Sequence, residues 1–585
     1  MKKSIVFLLI LTLVLSTFLV GCTTDEEEPV DTGTENGEVT DGEDADTDTE
    51  DPSGEPSGTL VVGITEASGN FNPAYYSSAY DAYVVNMVFQ GLIQRDFDGE
   101  WEGVVADSWE YSNDDKTITF KLKDDIVFSD GEPLTADDIV FTYKVIADPS
   151  YTGRYGSYVK DLKGYEAYAA GETEEFEGVV AIDENTVEFN FEEVLRVNFA
   201  NTEFPIMPEH YYGEGYEYNN TASVEAITGE PIGSGPYAVD AFQEKEFVSL
   251  VRNDNYSGEG YMIQDIILKF VDMTTDIVEL TTGSVDLLPG AIEPDKIAQA
   301  AAADKEANKY DRSGYGYIKT NNEWGPTADA AVRQALYYAF NREEFVNSYF
   351  KDEESGELVA GTQSHPFSQV SWALDDEINN ELNDYDFDME KAKSVLDEAG
   401  WVPNADGIRE KDGQLLELNI AAMPDHDILA TLIPMWERDW GQGLGAKLNI
   451  AYLEFNTMLD YVIYDSDANV DKWSLFFLAT SITTPDPDTL YSSFHSDHIG
   501  SGKDNTSRYS NPKVDDLFDQ GKAIIEPEEA KPVYQEIVKI LNEEAVMMPV
   551  YFNIYHDLYD PKLVDFKTDS LYDWVRALKD ARIEE

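Results

Sequence analysis

Four short stretches of the chain alternate apolar and polar residues with the two-residue period of a strand buried on one face. Ile118, Phe120 and Leu122 mark the first, in TITFKLK (Thr117–Lys123), and TVEFNF (Thr186–Phe191) is the second. Leu416, Leu418 and Ile420 form the third; Leu448, Ile450 and Tyr452 form the fourth. Elsewhere the spacing becomes helical. Between Ala330 and Phe350, Val332, Leu336, Ala339 and Phe340 share one face, which predicts a helix. Met389–Ala399 is a second, with Gly400 placed to end it, and Glu528–Ala545 a third. A further helix starts in PLTADDIVFTYKVI (Pro133–Ile146), where Thr135 can cap the first turn with Asp138 three positions on. Strands and helices interleaved in this way predict an α/β architecture. No internal repeat of fixed period is present.

The start of the chain follows neither period. Met1-Lys2-Lys3 leads into an apolar run, Ile5 to Val20, broken only by Thr12, Ser16 and Thr17. It is shorter than a comfortable membrane span of ~20 residues. Its length and basic flank are those of a secretory signal peptide. The run closes on Leu19-Val20-Gly21-Cys22, which is similar to a bacterial lipobox, and Cys22 is the only cysteine in the 585 residues. In such a motif the sulfur receives a diacylglycerol and cleavage falls just before it; the alternative is an ordinary signal peptide with an incidental cysteine. From Thr23 to Gly58 there is no Lys or Arg and almost no large apolar residue. Such a segment cannot bury enough apolar area to offset its ordering entropy, and its like charges extend it. The expectation is a lipid anchor of two or three acyl chains, enough for lasting attachment. The acidic tether would then hold a folded body at the extracytoplasmic face of the cell membrane. No other run reaches spanning length.

Composition narrows the classes. A single cysteine permits no intrachain disulfide, so the body must be held by its core. Its length suggests about three or four domain-sized units. The formal net charge is -76, from 116 acidic against 40 basic residues, which repels nucleic acid. Attraction of a cationic ligand is one reading of that charge, but its spread along the whole chain favours solubility, as in a saline medium. No G-x-S-x-G and no H-E-x-x-H occurs, and Gly502-Lys503 is followed by Asp504 rather than the Ser or Thr of a P-loop. GQGLG (Gly441–Gly445) lies between a helix and a strand and reads as a plain turn. His495 and His498 alone do not define a metal site. An enzyme is therefore not expected, nor a cofactor.

Longer stretches then read together. GTLVVGITEASGNFNPAYY (Gly58–Tyr76) opens the body, followed by NMVFQGLIQRD and VVADSWEYSNDDKTITFKLKDDIVFSDGEPLTADDIVFTYKVI (Val104–Ile146). Next come IGSGPYAVDAFQEKEFVSLVRNDNY (Ile232–Tyr256), AAVRQALYYAFNREEFV (Ala330–Val346) and DFDMEKAKSVLDEAGW (Asp386–Trp401), then PDPDTLYSSFHS and SRYSNPKVDDLF. In order and spacing they resemble the extracellular solute-binding proteins of family 5. That family contains the oligopeptide-, dipeptide- and nickel-binding components of ABC importers. Each stretch also has a local reading. Asp130-Gly131 makes a turn; Gly233 and Gly235 give backbone freedom, and Pro236 stiffens the chain beside them. Arg333 and Arg342 are expected to pair with neighbouring acids.

The resemblance implies a two-lobed periplasmic-binding-protein-like α/β fold (type II, cluster C) with an extra subdomain in the first lobe. The boundaries expected are a signal peptide at 1–21 and the lipidated, disordered tether at 22–58. Lobe I would comprise 59–92, 233–314 and 547–585, its extra subdomain 93–232, and lobe II 315–546. Crossings near Tyr315–Asn322 and Met547–Phe552 would form the hinge. The partners implied are a peptide or other small solute and the permease and ATPase subunits of an importer, with the receptor itself a monomer.

The ligand is less well specified. Peptide-binding members hold the ammonium end with an Asp just before a D-P-D-like turn. Here FFLATSITTPDPD (Phe476–Asp488) carries Ser481, Ile482, Thr483 and Thr484 at those places, so the clamp is not matched. Peptide remains possible through backbone contacts; an oligosaccharide is the alternative, since 35 tyrosines could supply stacking platforms. Nickel is poorly served by six histidines. Candidate ligand-binding residues by family position are Phe71, Tyr75 and Tyr76 after the first strand, Tyr317 and Asn322 by the lobe crossing, Trp372, and Ser481, Thr483 and Asp486 from the second lobe.

Overall fold

The computed structural model describes residues 55–584 apart from 273, 352–355, 425 and 483. The proposed signal segment, Cys22 and nearly all of the tether lie outside the described residues, as does Thr483. The side chain of Ser481 is not described either.

Among the described residues twelve strands form the main sheet. They are β1 (Ser57–Ile64), β2 (Tyr237–Gln243), β3 (Phe247–Arg252), β4 (Ile263–Phe270), β5 (Leu287–Ala291), β6 (Glu306–Asp311), β7 (Gly314–Thr320), β8 (Ala360–Gly361), β9 (Glu417–Ala422), β10 (Lys447–Tyr452), β11 (Leu475–Ser481) and β12 (Met547–Tyr559). The order across the sheet is β10-β9-β11-β7-β12-β5-β1-β4-β3-β2, with β6 and β8 also pairing with β12. β1 is parallel to β4 and β5, and its side chains Leu60, Val62 and Ile64 are buried, as expected of an interior parallel strand. β12 is the long member. Its first residues, Met547 to Tyr551, pair antiparallel with β7, and its last, His556 to Tyr559, pair with β5 and β6. The register slips beside Pro549, so the residue that lacks an N–H sits at a bulge. A separate antiparallel sheet joins Ala106–Ser112, Thr117–Leu122, Thr186–Asn190 and Val179–Asp183 in that order.

The apolar residues collect in several cores rather than one. The first runs from Leu60 to Leu268 and is joined by Leu287 and by residues from Tyr559 to Ala581, so the end of the chain packs back on its beginning. A second surrounds Ile318, Trp436, Trp440 and Met548, where the two indoles stack at 5.1 Å and 7°. A third surrounds Tyr315, Phe518, Tyr534, Ile537 and Met547. β7 and β12 therefore feed more than one core.

Several local expectations are modified. The helix anticipated over Ala330–Phe350 is two, Ala330–Tyr338 and Arg342–Tyr349. Asn341 breaks it, because its side-chain oxygen accepts the Glu344 N–H at 3.0 Å and caps a new start. GQGLG is not a plain turn. It belongs to a wide π-helical segment, Glu437–Leu444, ended by Gly445 in the left-handed region at φ 79°. Arg333 and Arg342 are buried and bond carbonyls rather than acids. Arg333 donates to Glu544 O at 3.0 Å and Thr327 O at 2.9 Å, Arg342 to Gln363 O and Asp384 O at 2.5 Å. Thr135 does start the helix Ala136–Ala147, with its N–H held by the Asp138 carboxylate at 2.8 Å.

Candidate functional site

A cavity of about 1620 Å³ opens between segments of the first core and segments of the third. The first side contributes Tyr76, Arg95, Trp101, Arg154, Tyr155 and Glu203, together with Arg576 from the returning C-terminal segment. The other side contributes Ile482, Thr484, Asp486, Asp488, Tyr491 and Lys522. Tyr310, Arg312, Ser313 and Tyr555, on and beside β6, β7 and β12, lie at the junction. The wall thus mixes aromatic faces with charges of both signs.

One side chain crosses from one side to the other. Arg196 begins the short helix Arg196–Ala200, among residues of the first core, and is buried. Its Nε donates to Asp486 Oδ2 at 2.7 Å and its Nη2 to Asp488 Oδ2 at 2.6 Å. Nη1 donates to Ile524 O at 2.8 Å, and Nη2 also reaches Tyr534 OH at 3.1 Å. The guanidinium carbon lies 4.8 Å from the Trp372 ring centroid and 5.3 Å from that of Tyr534. Two carboxylates, a carbonyl, a phenol and two aromatic rings thus form a fitted receptacle for one guanidinium. Burial, reinforced by the neighbouring Asp486 charge, pushes the Asp488 carboxyl up to about 7.

The candidate residues separate accordingly. Tyr76 and Asp486 line the cavity. Tyr76 stands beside Tyr155, with the Arg154 guanidinium 4.6 Å from the first ring and 4.9 Å from the second. Asp486 is engaged by Arg196 and accepts the Asp488 N–H at 3.1 Å, which leaves its carboxylate little capacity for an ammonium group. Phe71 is fully buried edge-on to Phe242, and Tyr75 packs edge-on to Tyr151; neither lines the cavity. Tyr317 sits between two cores, and Asn322 donates to Ser507 O at 3.0 Å and Thr320 O at 2.9 Å. Trp372 lies behind the cavity, against Arg196 and Tyr534. The structure does not gather these candidates into one cluster.

It does gather arginines, among acids as well. Four of the twelve arginines line the cavity: Arg95, Arg154, Arg312 and Arg576. Sequence reasoning passed over them, although the scarcity of bases among so many acids was a usable signal.

A scan against protein-family models matches residues 100–501 to the bacterial extracellular solute-binding proteins, family 5. The oligopeptide-binding protein AppA of Bacillus subtilis (strain 168) is 25% identical over 530 residues, covering 87% of this chain and 89% of that protein. The nickel-binding periplasmic protein of Escherichia coli (strain K12) is 24% identical over 496 residues, 83% of this chain and 87% of that one. Among solved structures, that of Bacillus subtilis AppA in complex with a nonapeptide superposes with a TM-score of 0.68 at 23% identity, covering 91% of this chain and all of its own. These likenesses carry the two-lobed fold. The family's members are receptors rather than enzymes, and this chain belongs to family 5 of the bacterial extracellular solute-binding proteins.

Proposed function

We propose that the protein is the lipid-anchored capture component of an ABC importer, taking extracellular oligopeptides into the interlobe cleft and presenting them to a permease. The observation that carries the ligand class is the cavity. About 1620 Å³ exceeds the ~300–1,000 Å³ of pockets for single small molecules and suits an extended oligomer. Its charges of both signs match a chain with an ammonium and a carboxylate end better than an uncharged sugar, and its aromatic faces can take apolar side chains. AppA, whose solved complex contains a nonapeptide, supports the same reading. Closure exchanges ligand hydration for protein contacts; a micromolar ligand supplies about 8 kcal/mol toward that shift. Anchoring rests on Cys22, the only sulfur nucleophile in the chain, and no helix among the described residues is long and apolar enough to cross a membrane.

The test is mass spectrometry of whatever co-purifies with the protein, followed by thermal-shift screening. Peptides of about three to six residues should be recovered and should raise the melting temperature, whereas oligosaccharides should not; a co-purified sugar would overturn the peptide assignment. Cys22→Ser should release the protein from the cell into the medium, and retention on the membrane would refute the lipid anchor.

A further inference from the structure

We infer that Arg95 and Arg576 form a carboxylate-binding subsite in the cleft, one that seats the free acid group of the captured ligand. The inference rests on the solute-binding reading above and specifies its chemistry. It starts from how the arginines are engaged: Arg333 and Arg342 are held by backbone carbonyls. Arg196, Arg409, Arg438, Arg508 and Arg582 all form ion pairs. Among the described residues no carboxylate lies within ion-pair distance of Arg95 or Arg576, and both line the cavity half-buried.

The backbone holds both groups in place. Arg95 ends the strand Ile93–Arg95, whose antiparallel partner Trp101–Gly103 sets Trp101 directly opposite it. The guanidinium accordingly lies 3.9 Å from the Trp101 ring centroid, with Nη1 donating to Gly99 O at 2.6 Å. Arg576 sits in the short helix Trp574–Ala577, capped by Asp573, and donates one Nη1 bond to Leu571 O at 3.3 Å. Each guanidinium has five N–H donors and one protein bond, so most donors remain for a ligand.

The two segments also meet: the rings of Phe97 and Tyr572 lie 5.3 Å apart, and Arg576 lowers the basicity of Arg95, an effect smaller than those of burial, Glu203 and Asp486. Glu203 lines the same wall, attracted by both arginines but bonded to neither, and burial holds its carboxyl above the ordinary range. Neither guanidinium is saturated by a carboxylate bond, so both keep donors for an incoming acid group. The planar fork of arginine fits a ligand carboxylate in two-point fashion. The acid group could be a peptide C-terminus or belong to a non-peptide acid; the chemistry at the subsite is the same.

The experiment uses the purified full chain and three probes: a library of tri- to hexapeptides as free acids, the same library C-amidated, and citrate. Binding is read by thermal shift and by calorimetry on the hits. Wild type should bind the acids at least about tenfold more tightly than the amides, the order expected for a charge-assisted pair. The double variant Arg95→Gln, Arg576→Gln should still melt cooperatively without ligand, at a somewhat lower temperature, and bind acid and amide alike. Equal affinity of acid and amide for wild type would overturn the subsite and leave the peptide reading intact. A preference surviving in the double variant would overturn it as well. Citrate binding that the double variant abolishes, with no peptide bound, would support the subsite and refute the peptide reading. Failure of every carboxylate probe would refute the subsite outright.

Discussion

Arg196 places all three of its guanidinium nitrogens on acceptors that lie roughly 290 to 340 positions further along the chain, at Asp486, Asp488, Ile524 and Tyr534. Removing it leaves two carboxylates buried beside each other without their cation. Arg196→Met should therefore cost roughly 3–5 kcal/mol, the range for stripping one partner from a buried pair. Differential scanning calorimetry reads the loss, and adding Asp486→Asn with Asp488→Asn should restore most of it. Asp488 makes a second prediction. Its carboxyl rests near 7 when folded, above its ordinary value of 3.8, because burial and Asp486 both disfavour the charge. The folded state thus takes up a proton at a pH where the unfolded chain does not, and stability from this group rises as pH falls from about 7 toward 4. Thermal melts of wild type and Asp488→Asn across that window should show a smaller rise in the variant, in which Asp557, raised to about 6 by burial, still contributes. The sequence offered Asp486 and Asp488 as a recognisable turn but no hint of Arg196. A partner so distant along the chain follows no local period, and only the fold brings it close. Phe71 and Tyr75 illustrate the converse, since aromatic residues after a first strand serve a core as readily as a cleft.

At the level of elements, alternation and capping were the legible signals. Thr117–Leu122 and Thr186–Asn190 are strands, as their alternation suggested, and they pair as neighbours; Thr135 with Asp138 begins a helix. GSGPY was legible as special, though close packing rather than backbone freedom is the reason. Neither Gly233 nor Gly235 adopts a left-handed backbone; both are needed because the chain passes against residues 87–88. A β-carbon at Gly235 would stand 2.5 Å from Met87 O, and one at Gly233 would collide with Val88 O. Gly235→Ala should then destabilise by about 1–3 kcal/mol, as overpacking does, because the obstacle is backbone that cannot rotate away. Gly229→Ala, where nothing lies within 4 Å, should leave the melting temperature unchanged; equal effects of the two would contradict the steric account. The break at Asn341 was not legible from apolar spacing, which continues across it; the cap overrides the period.

For the whole molecule, the ordered series of stretches located the fold, because those stretches encode turns, caps and close packing that recur with it. The cleft's chemistry stayed hidden because it draws on residues near positions 95, 196, 486 and 576 at once. Both sides of the cleft depend on β12. It closes the sheet between β7 and β5 and contributes Met547 to the third core and Tyr559 to the first. Calorimetry of the ligand-free protein should accordingly show one cooperative transition, and two separate endotherms would contradict a shared strand. The position of that strand also bears on biogenesis. Until residues 547–559 are seated, the strands on either side of them remain open edges. A partly assembled molecule lacking this one strand would offer both edges to another chain, so the step that seats β12 also closes a route to aggregation.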